Sequence, residues 1–171
     1  LLREKGKVAE LDKKVAAAER SDNIGIGHTR WATHGEPSER NAHPHHVGDI
    51  YLVHNGIIEN YQDLKEVLGD RGYEFASETD TEVFAALIDS IYQTQDKKDL
   101  HEAVVDSLQM VVGAYGIAVM AKGNLDEIVV ARKGSPLVVG VGEGEVFVAS
   151  DPSALVGHTD QVIYLRDDEV A

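Results

Sequence analysis

Cysteine is absent from the 171 residues, which excludes disulfides, thiolate metal centres and a thiol nucleophile from this polypeptide as it stands. Basic residues are scarce: sixteen Lys and Arg face thirty Asp and Glu, for a formal net charge of −14. Such a field repels phosphate backbones and anionic membrane surfaces, so neither nucleic acid nor a membrane is an expected partner. Long apolar runs are missing as well. Ile128 to Ala131 and Leu137 to Val141 fall far short of the roughly 18 residues a membrane span needs. The chain starts Leu1-Leu2-Arg3-Glu4 without Met, and no basic segment followed by an apolar stretch marks a signal peptide. The expectation is a cytoplasmic chain that reads like a piece of something longer.

What is present is the mix of an ordinary globular domain, with 43% hydrophobic and 27% charged residues, and its length suits one domain spanning residues 1–171. In the first half, Val8, Leu11 and Val15 recur at helical spacing between charges and predict a short amphipathic helix from about Lys7 to Glu19. Ile24 to Thr29 reads as a short β-like run. His34 to Gly48, dense in Gly, Pro, Asn and His, reads as a long loop. Ile50 to His54 is a second β-like run ending in Asn55-Gly56, a dipeptide that favours a tight turn. A helix is expected to start near Asn60, which can cap it, and to stop at Gly72, with a brief strand over Tyr73 to Ala76.

Thr79-Asp80-Thr81-Glu82 fits a capping box, and the helix it opens repeats Val83/Phe84, Leu87/Ile88 and Ile91/Tyr92 as one apolar stripe. Asp99 with Glu102 opens another helix, with Leu100, Val104, Leu108 and Val111 as its buried face. From Gly113 the period shortens into β-rich runs: Ala114 to Ala121, Ile128 to Ala131, Leu137 to Val141, Glu145 to Ala149 and Val162 to Leu165. Their short links, such as Gly123-Asn124 and Gly142-Glu143-Gly144, suit an antiparallel meander rather than parallel crossovers. Helices segregated from an antiparallel sheet give an α+β fold in stacked layers.

Three segments concentrate polar chemistry at predicted strand ends and turns: residues 28–35, 54–56 and 77–82. Arg30 beside Trp31 offers a planar fork to a carboxylate, or is a surface Arg stacked on a half-buried ring. Asn55 and Gly56 can aim a side-chain amide and a backbone N–H at one developing oxyanion, or form only a turn. Asp80 can pair with an ammonium group, or merely favour the helix dipole. Six of the eight histidines lie between His28 and His54. With no His-Glu-x-x-His motif, and with Pro44 interrupting helical spacing, hydrogen-bonding histidines are preferred over a metal site. Gly140 to Gly144 lacks the Lys and following helix of a phosphate loop and reads as a hairpin turn.

In this order and spacing, HTRWATHGEPSERNAHPH from His28, HNGIIEN from His54 and SETDTE from Ser77 resemble the glutaminase domains, class II glutamine amidotransferases, of the glutamine:fructose-6-phosphate aminotransferases. The resemblance spans essentially the whole chain. It implies an N-terminal nucleophile hydrolase fold, a four-layer αββα sandwich with antiparallel sheets, here lacking its first strands. It also implies L-glutamine and L-glutamate as ligands, no cofactor, no metal, a sugar-isomerase domain in the same intact chain, and a homo-oligomer at full length. By resemblance Arg30 holds the α-carboxylate of glutamine and Asp80 its α-ammonium. Trp31, Thr33 and His34 lie in the loop that closes over it, and Asn55 with Gly56 forms the oxyanion hole.

The departure is the nucleophile, which in that family is an N-terminal Cys whose own α-amine acts as the base. This chain has neither, so the fragment alone is expected to be inactive, and loss of initial strands to leave sheet edges and apolar area exposed. Two other readings stand beside it. One is the related amidotransferase domain that acts on phosphoribosyl pyrophosphate, which typically carries Tyr at the position of Trp31. The other is a non-catalytic amino-acid binding module.

Overall fold

Side chains along residues 50–58 alternate between two environments, and that alternation organises the fold. In the computed structural model, which describes residues 1–18, 23–30 and 36–171, the segment is a nine-residue strand. It follows a helix α1 (Val8–Ala17) and a short strand β1 (His45–Val47), and is designated β2 (Ile50–Ile58). Helices α2 (Tyr61–Asp70), α3 (Asp80–Thr94) and α4 (Leu100–Leu108) come next. The second half holds β3 (Gly113–Ala121), β4 (Asn124–Lys133), β5 (Val138–Val141), β6 (Val146–Ala149), β7 (Val162–Tyr164) and β8 (Glu169–Val170), with a 3-10 turn at Pro152–Leu155. Two antiparallel sheets result, one ordered β1-β2-β3-β4-β8 and one ordered β6-β5-β7.

One face of the larger sheet presents Ile50, Leu52 and Ile58 of β2 with Tyr115, Ile117 and Val119 of β3. These meet Leu68 of α2, Phe84 and Ile88 of α3, and Leu100 and Val104 of α4 in the main core. Phe84 and Ile88 are fully buried, and each such side chain contributes about 1.5–3 kcal/mol of transfer free energy. The other face presents Val53, Ala118 and Val130 to Leu137 and Leu165 and to the half-buried Val139 and Val148 of the smaller sheet. A Cβ added at Gly140 would come within 3.0 Å of Leu155, so the 3-10 turn packs on the smaller sheet. Helices on one face of the larger antiparallel sheet and the smaller antiparallel sheet on the other make the expected α+β arrangement.

Local capping fixes where the helices begin. Thr79 Oγ1 accepts the Glu82 N–H at 3.2 Å and Asp99 Oδ1 accepts the Glu102 N–H at 2.9 Å, which satisfies donors that the first turn leaves over. The Glu82 carboxylate turns away from Thr79 and instead accepts the N–H groups of Ala76 and Ser77 at 3.0 and 2.6 Å. That diversion accounts for a difference from the sequence expectation. Tyr73 to Ala76 is no strand, because the Tyr73 N–H goes back to Leu68 of α2 and the Ala76 N–H goes forward to Glu82.

Four further expectations are corrected. Asn55-Gly56 is not a turn but lies inside β2, opposite Gly116 and Tyr115 of β3, and the pairing runs on to Ile58↔Gly113. Ile24 to Thr29 forms no strand, since its backbone finds no ladder among the described residues. The loop after His34 ends early in β1, folded onto β2 through Gly48 and Asp49. Gly48 has φ +57, and a Cβ there would lie 2.3 Å from the buried Asp89 carboxylate. Asn60 stands at the start of α2 without capping it, its side chain instead joining the Met110 carbonyl and the Val112 N–H. The meander holds for β2-β3-β4 and for β5-β6, whereas β7 and β8 return to β5 and β4 from later in the chain.

Candidate active site

Strand β1 covers only residues 50–52 of β2. Beyond it, the outward N–H groups of β2 meet side chains: His54 donates to His43 Nδ1 at 3.3 Å and Ile58 donates to Asp80 Oδ2 at 2.8 Å. Gly56 stands midway, and the alternation of an antiparallel ladder turns its N–H to the same edge. A side chain cannot stand at that position. Gly56 has φ +129, and a Cβ would sit 2.0 Å from the Ala114 carbonyl oxygen, a contact only glycine permits. Period two sends His54 towards the helices, where its ring meets Phe84 edge-on, and Asn55 towards the opposite face.

Asp80 opens α3, where the helix dipole favours a carboxylate, and only 5% of it is exposed. The start of α3 is held by a dense network. Ser77 Oγ donates to Glu82 at 2.7 Å, and Thr79 Oγ1 shares a hydrogen bond with His45 Nε2 at 3.0 Å. Arg30, half-buried, donates to the Glu36 carbonyl at 3.3 Å. Asn41 ties that same carbonyl to the α3 side, donating to it and to Glu78 Oε2, each at 3.0 Å, while its Oδ1 accepts the Glu78 N–H.

The histidines form the wall between these parts. His28 stacks on His43 at 4.1 Å between centroids, and its Nε2 lies 2.8 Å from Asn55 Oδ1. His54 Nε2 faces the Ala114 carbonyl at 3.4 Å and its Nδ1 lies 3.1 Å from Thr81 Oγ1, a hydroxyl that also reaches Asp80 Oδ1 at 3.4 Å. Burial lowers the pKa of His28, His43 and His54 below the ordinary imidazole value, and burial next to Arg3 pushes His45 down to about 4. All four are therefore neutral hydrogen-bonding groups near pH 7. No group of three His, Asp or Glu among the described residues is arranged to hold a metal ion.

A pocket of about 270 Å³ brings together Arg30, Asn55, Gly56 and Asp80, with His28 and Thr81 in its wall. It adjoins a cleft of about 1020 Å³ between the facing sheets, lined by Val53, Ala118, Leu137 and Val148 and sharing Arg30 and Asn55 with the pocket. Of the residues singled out from the sequence, Arg30, Asn55, Gly56 and Asp80 thus line one pocket. Trp31, Thr33 and His34 lie outside the described residues. Sequence reasoning named the histidine-rich stretch but not the contacts that His28, His43 and His45 make, because those join residues of different elements with no shared periodicity. A cation, an anion and an amide around one small cavity suit a zwitterionic ligand that also carries a carbonyl.

Residues 28–157, most of the chain and the whole of this pocket, match the glutamine amidotransferase domain family. The chain belongs to that family. This amidotransferase domain is 51% identical over 176 residues to glutamine–fructose-6-phosphate aminotransferase [isomerizing] of Chlorobaculum tepidum, covering 100% of this chain and 29% of that protein. Against the enzyme of the same description from Bacteroides thetaiotaomicron it is 53% identical over 169 residues, covering 98% of this chain and 27% of that protein. The chain therefore spans less than a third of the length of these curated relatives. Among solved structures it resembles glutamine phosphoribosylpyrophosphate amidotransferase from B. subtilis complexed with ADP and GMP, with TM-score 0.61 and 32% identity, over 81% of this chain and 30% of that one. A structure of the allosteric regulatory enzyme of purine biosynthesis gives TM-score 0.64 at 32% identity with the same coverage. The amidotransferase domain thus shares the N-terminal nucleophile hydrolase fold of the class II enzymes.

Proposed function

We propose that this amidotransferase domain is the glutaminase part, residues 1–171, of a longer aminotransferase that hydrolyses L-glutamine to glutamate and ammonia and delivers the ammonia to fructose 6-phosphate. The observation that carries the reading is the convergence of Arg30, Asp80, Asn55 and Gly56 on one pocket. Arg30 holds the α-carboxylate. Asp80, which keeps lone pairs free beside its bonds to Ile58 and Thr81, takes the α-ammonium. The Asn55 amide and the Gly56 N–H stabilise the oxyanion of the tetrahedral intermediate. Trp31, Thr33 and His34 are assigned to the substrate side on resemblance alone.

The nucleophile is a cysteine thiolate supplied from outside these 171 residues, which contain no Cys. It attacks the amide carbon, the cysteine's own α-amine passes the proton it took from the thiol to the nitrogen, which leaves as ammonia, and water then releases glutamate from the acyl-enzyme and returns the thiol. The cleft that is continuous with the pocket at Asn55 offers a seat for the strands that bear this nucleophile. The ammonia acceptor belongs to a sugar-isomerase domain of the same polypeptide. Identities of 51% and 53% to the fructose-6-phosphate enzymes, against 32% to the phosphoribosylpyrophosphate enzyme, favour the former acceptor.

Calorimetric titration of the 171-residue chain with L-glutamate, beside D-glutamate, tests the pocket. Stereoselective binding that disappears in Arg30→Ala and Asp80→Ala is the expected result, together with no ammonia release from glutamine. Ammonia release by this chain, abolished in Arg30→Ala, would overturn the assignment of the nucleophile to a segment elsewhere. Binding that ignores stereochemistry, or survives both substitutions, would overturn the pocket itself.

A further inference from the structure

We infer that His28 is a positioning residue for the hydrolysis: its Nε2–H donates to Asn55 Oδ1 and so turns the Asn55 amide nitrogen into the pocket. The inference rests on the oxyanion role proposed for Asn55. An Asn side chain presents either oxygen or NH₂ to a cavity, and only a neighbour decides which. Oxygen facing a developing oxyanion would repel it; nitrogen stabilises it. At 2.8 Å from Nε2, Oδ1 is engaged, leaving the NH₂ group for the pocket that Asn55 lines.

The ring that makes this choice is itself held by a second histidine. His28 stacks nearly parallel on His43, 17° between planes, and His43 is fixed because its Nδ1 accepts the His54 backbone N–H. An amide oxygen can only accept, so at 2.8 Å from Asn55 Oδ1 the His28 proton resides on Nε2, and the other ring nitrogen, Nδ1, is buried. The strand that bears Asn55 also carries the backbone half of the same device, since Gly56 follows it in β2. One histidine thus orients the movable donor, and the ladder orients the fixed one.

The test uses the full-length enzyme and four variants: His28→Phe, which keeps an aromatic ring but no donor, His28→Gln, whose amide reaches the Nε2 position, Asn55→Ala, and the double variant of His28→Phe with Asn55→Ala. We expect His28→Phe to lower glutaminase kcat by about 10–100-fold while KM for glutamine and inhibition by glutamate change less than about twofold. His28→Gln should recover most of the loss, and His28→Phe combined with Asn55→Ala should be no worse than Asn55→Ala alone. Wild-type kcat in His28→Phe, or losses that multiply in the double variant, overturns the inference while leaving the oxyanion reading intact. So does a parallel loss of kcat and glutamate affinity in both His28 variants, which would assign the ring a packing role. Wild-type kcat in Asn55→Ala overturns the oxyanion reading, and this inference with it.

Discussion

The backbone N–H of Ile58 donates to Asp80 Oδ2 at 2.8 Å, so the carboxylate assigned to the substrate ammonium also ties the first residue of α3 to the end of β2. The two duties separate by substitution. Asp80→Asn keeps an oxygen for Ile58 and removes the charge; it is expected to fold and to bind L-glutamate at least about tenfold more weakly. Asp80→Ala also leaves a buried N–H without an acceptor and should cost a further 1–3 kcal/mol, roughly, of stability. Urea unfolding beside calorimetry on both variants checks this. Equal stability of the two would show that the Ile58 bond contributes nothing.

Gly56→Ala is expected to fail structurally before it fails chemically. Its Cβ would lie 2.0 Å from the Ala114 oxygen at a φ of +129, so β2 and β3 must separate where they pair. A loss of about 3 kcal/mol or more follows, read as a lower urea midpoint. Unchanged stability would mean that the ladder accommodates the methyl group and that the glycine is there for another reason.

Thr79→Ala removes the acceptor for the Glu82 N–H and the partner of both Ser77 Oγ and His45 Nε2. The loss of the cap is worth about 1–2 kcal/mol. Thr79→Ser, which preserves the oxygen, should restore most of it. Thermal denaturation of the pair decides, and indistinguishable midpoints for Ala and wild type would remove the cap from the account.

Acid should destabilise the fold well before its carboxylates protonate. His45 is held at about 4 in the folded protein, below the roughly 6.5 of a free imidazole. As pH falls through that interval the unfolded chain takes up the proton and the folded one does not. The stability is therefore complete above about 6.5 and is withdrawn down to about 4, on the order of 3 kcal/mol from this residue. His28, His43 and His54 shift in the same direction. Urea midpoints measured from pH 7.5 to 4.5 should fall steadily below 6.5; a flat profile would mean that the imidazoles protonate within the intact fold.

What was legible in the sequence was what local chemistry decides. Thr79 and Asp99 mark helix starts because the capped N–H lies three residues on, and both caps are present. Arg30, Asp80, Asn55 and Gly56 came from a pattern of motifs, and they do line one pocket. Misreadings arose where a distant partner overrides a local rule. Asn55-Gly56 carries a strong turn signal, yet the pairing with β3 continues through it, and only the position of Ala114 explains the glycine. The stack of His28 on His43 and the bond from His43 to β2 had no periodicity to announce them. Strand β8, two residues long, offers too short a run to be recognised before its partner is known.

Strand β2 places Ile50 and Leu52 against the helices and Val53 against the second sheet, and it carries Asn55 and Gly56 on the same continuous ladder. Sliding that strand by one residue would move its apolar set to the wrong side and swing Asn55 among the helices in the same motion. A one-residue register error therefore cannot yield a well-packed molecule with a misaligned centre. Quality control exerted on packing alone, by proteolysis of loosely folded chains, screens at once for chemical competence.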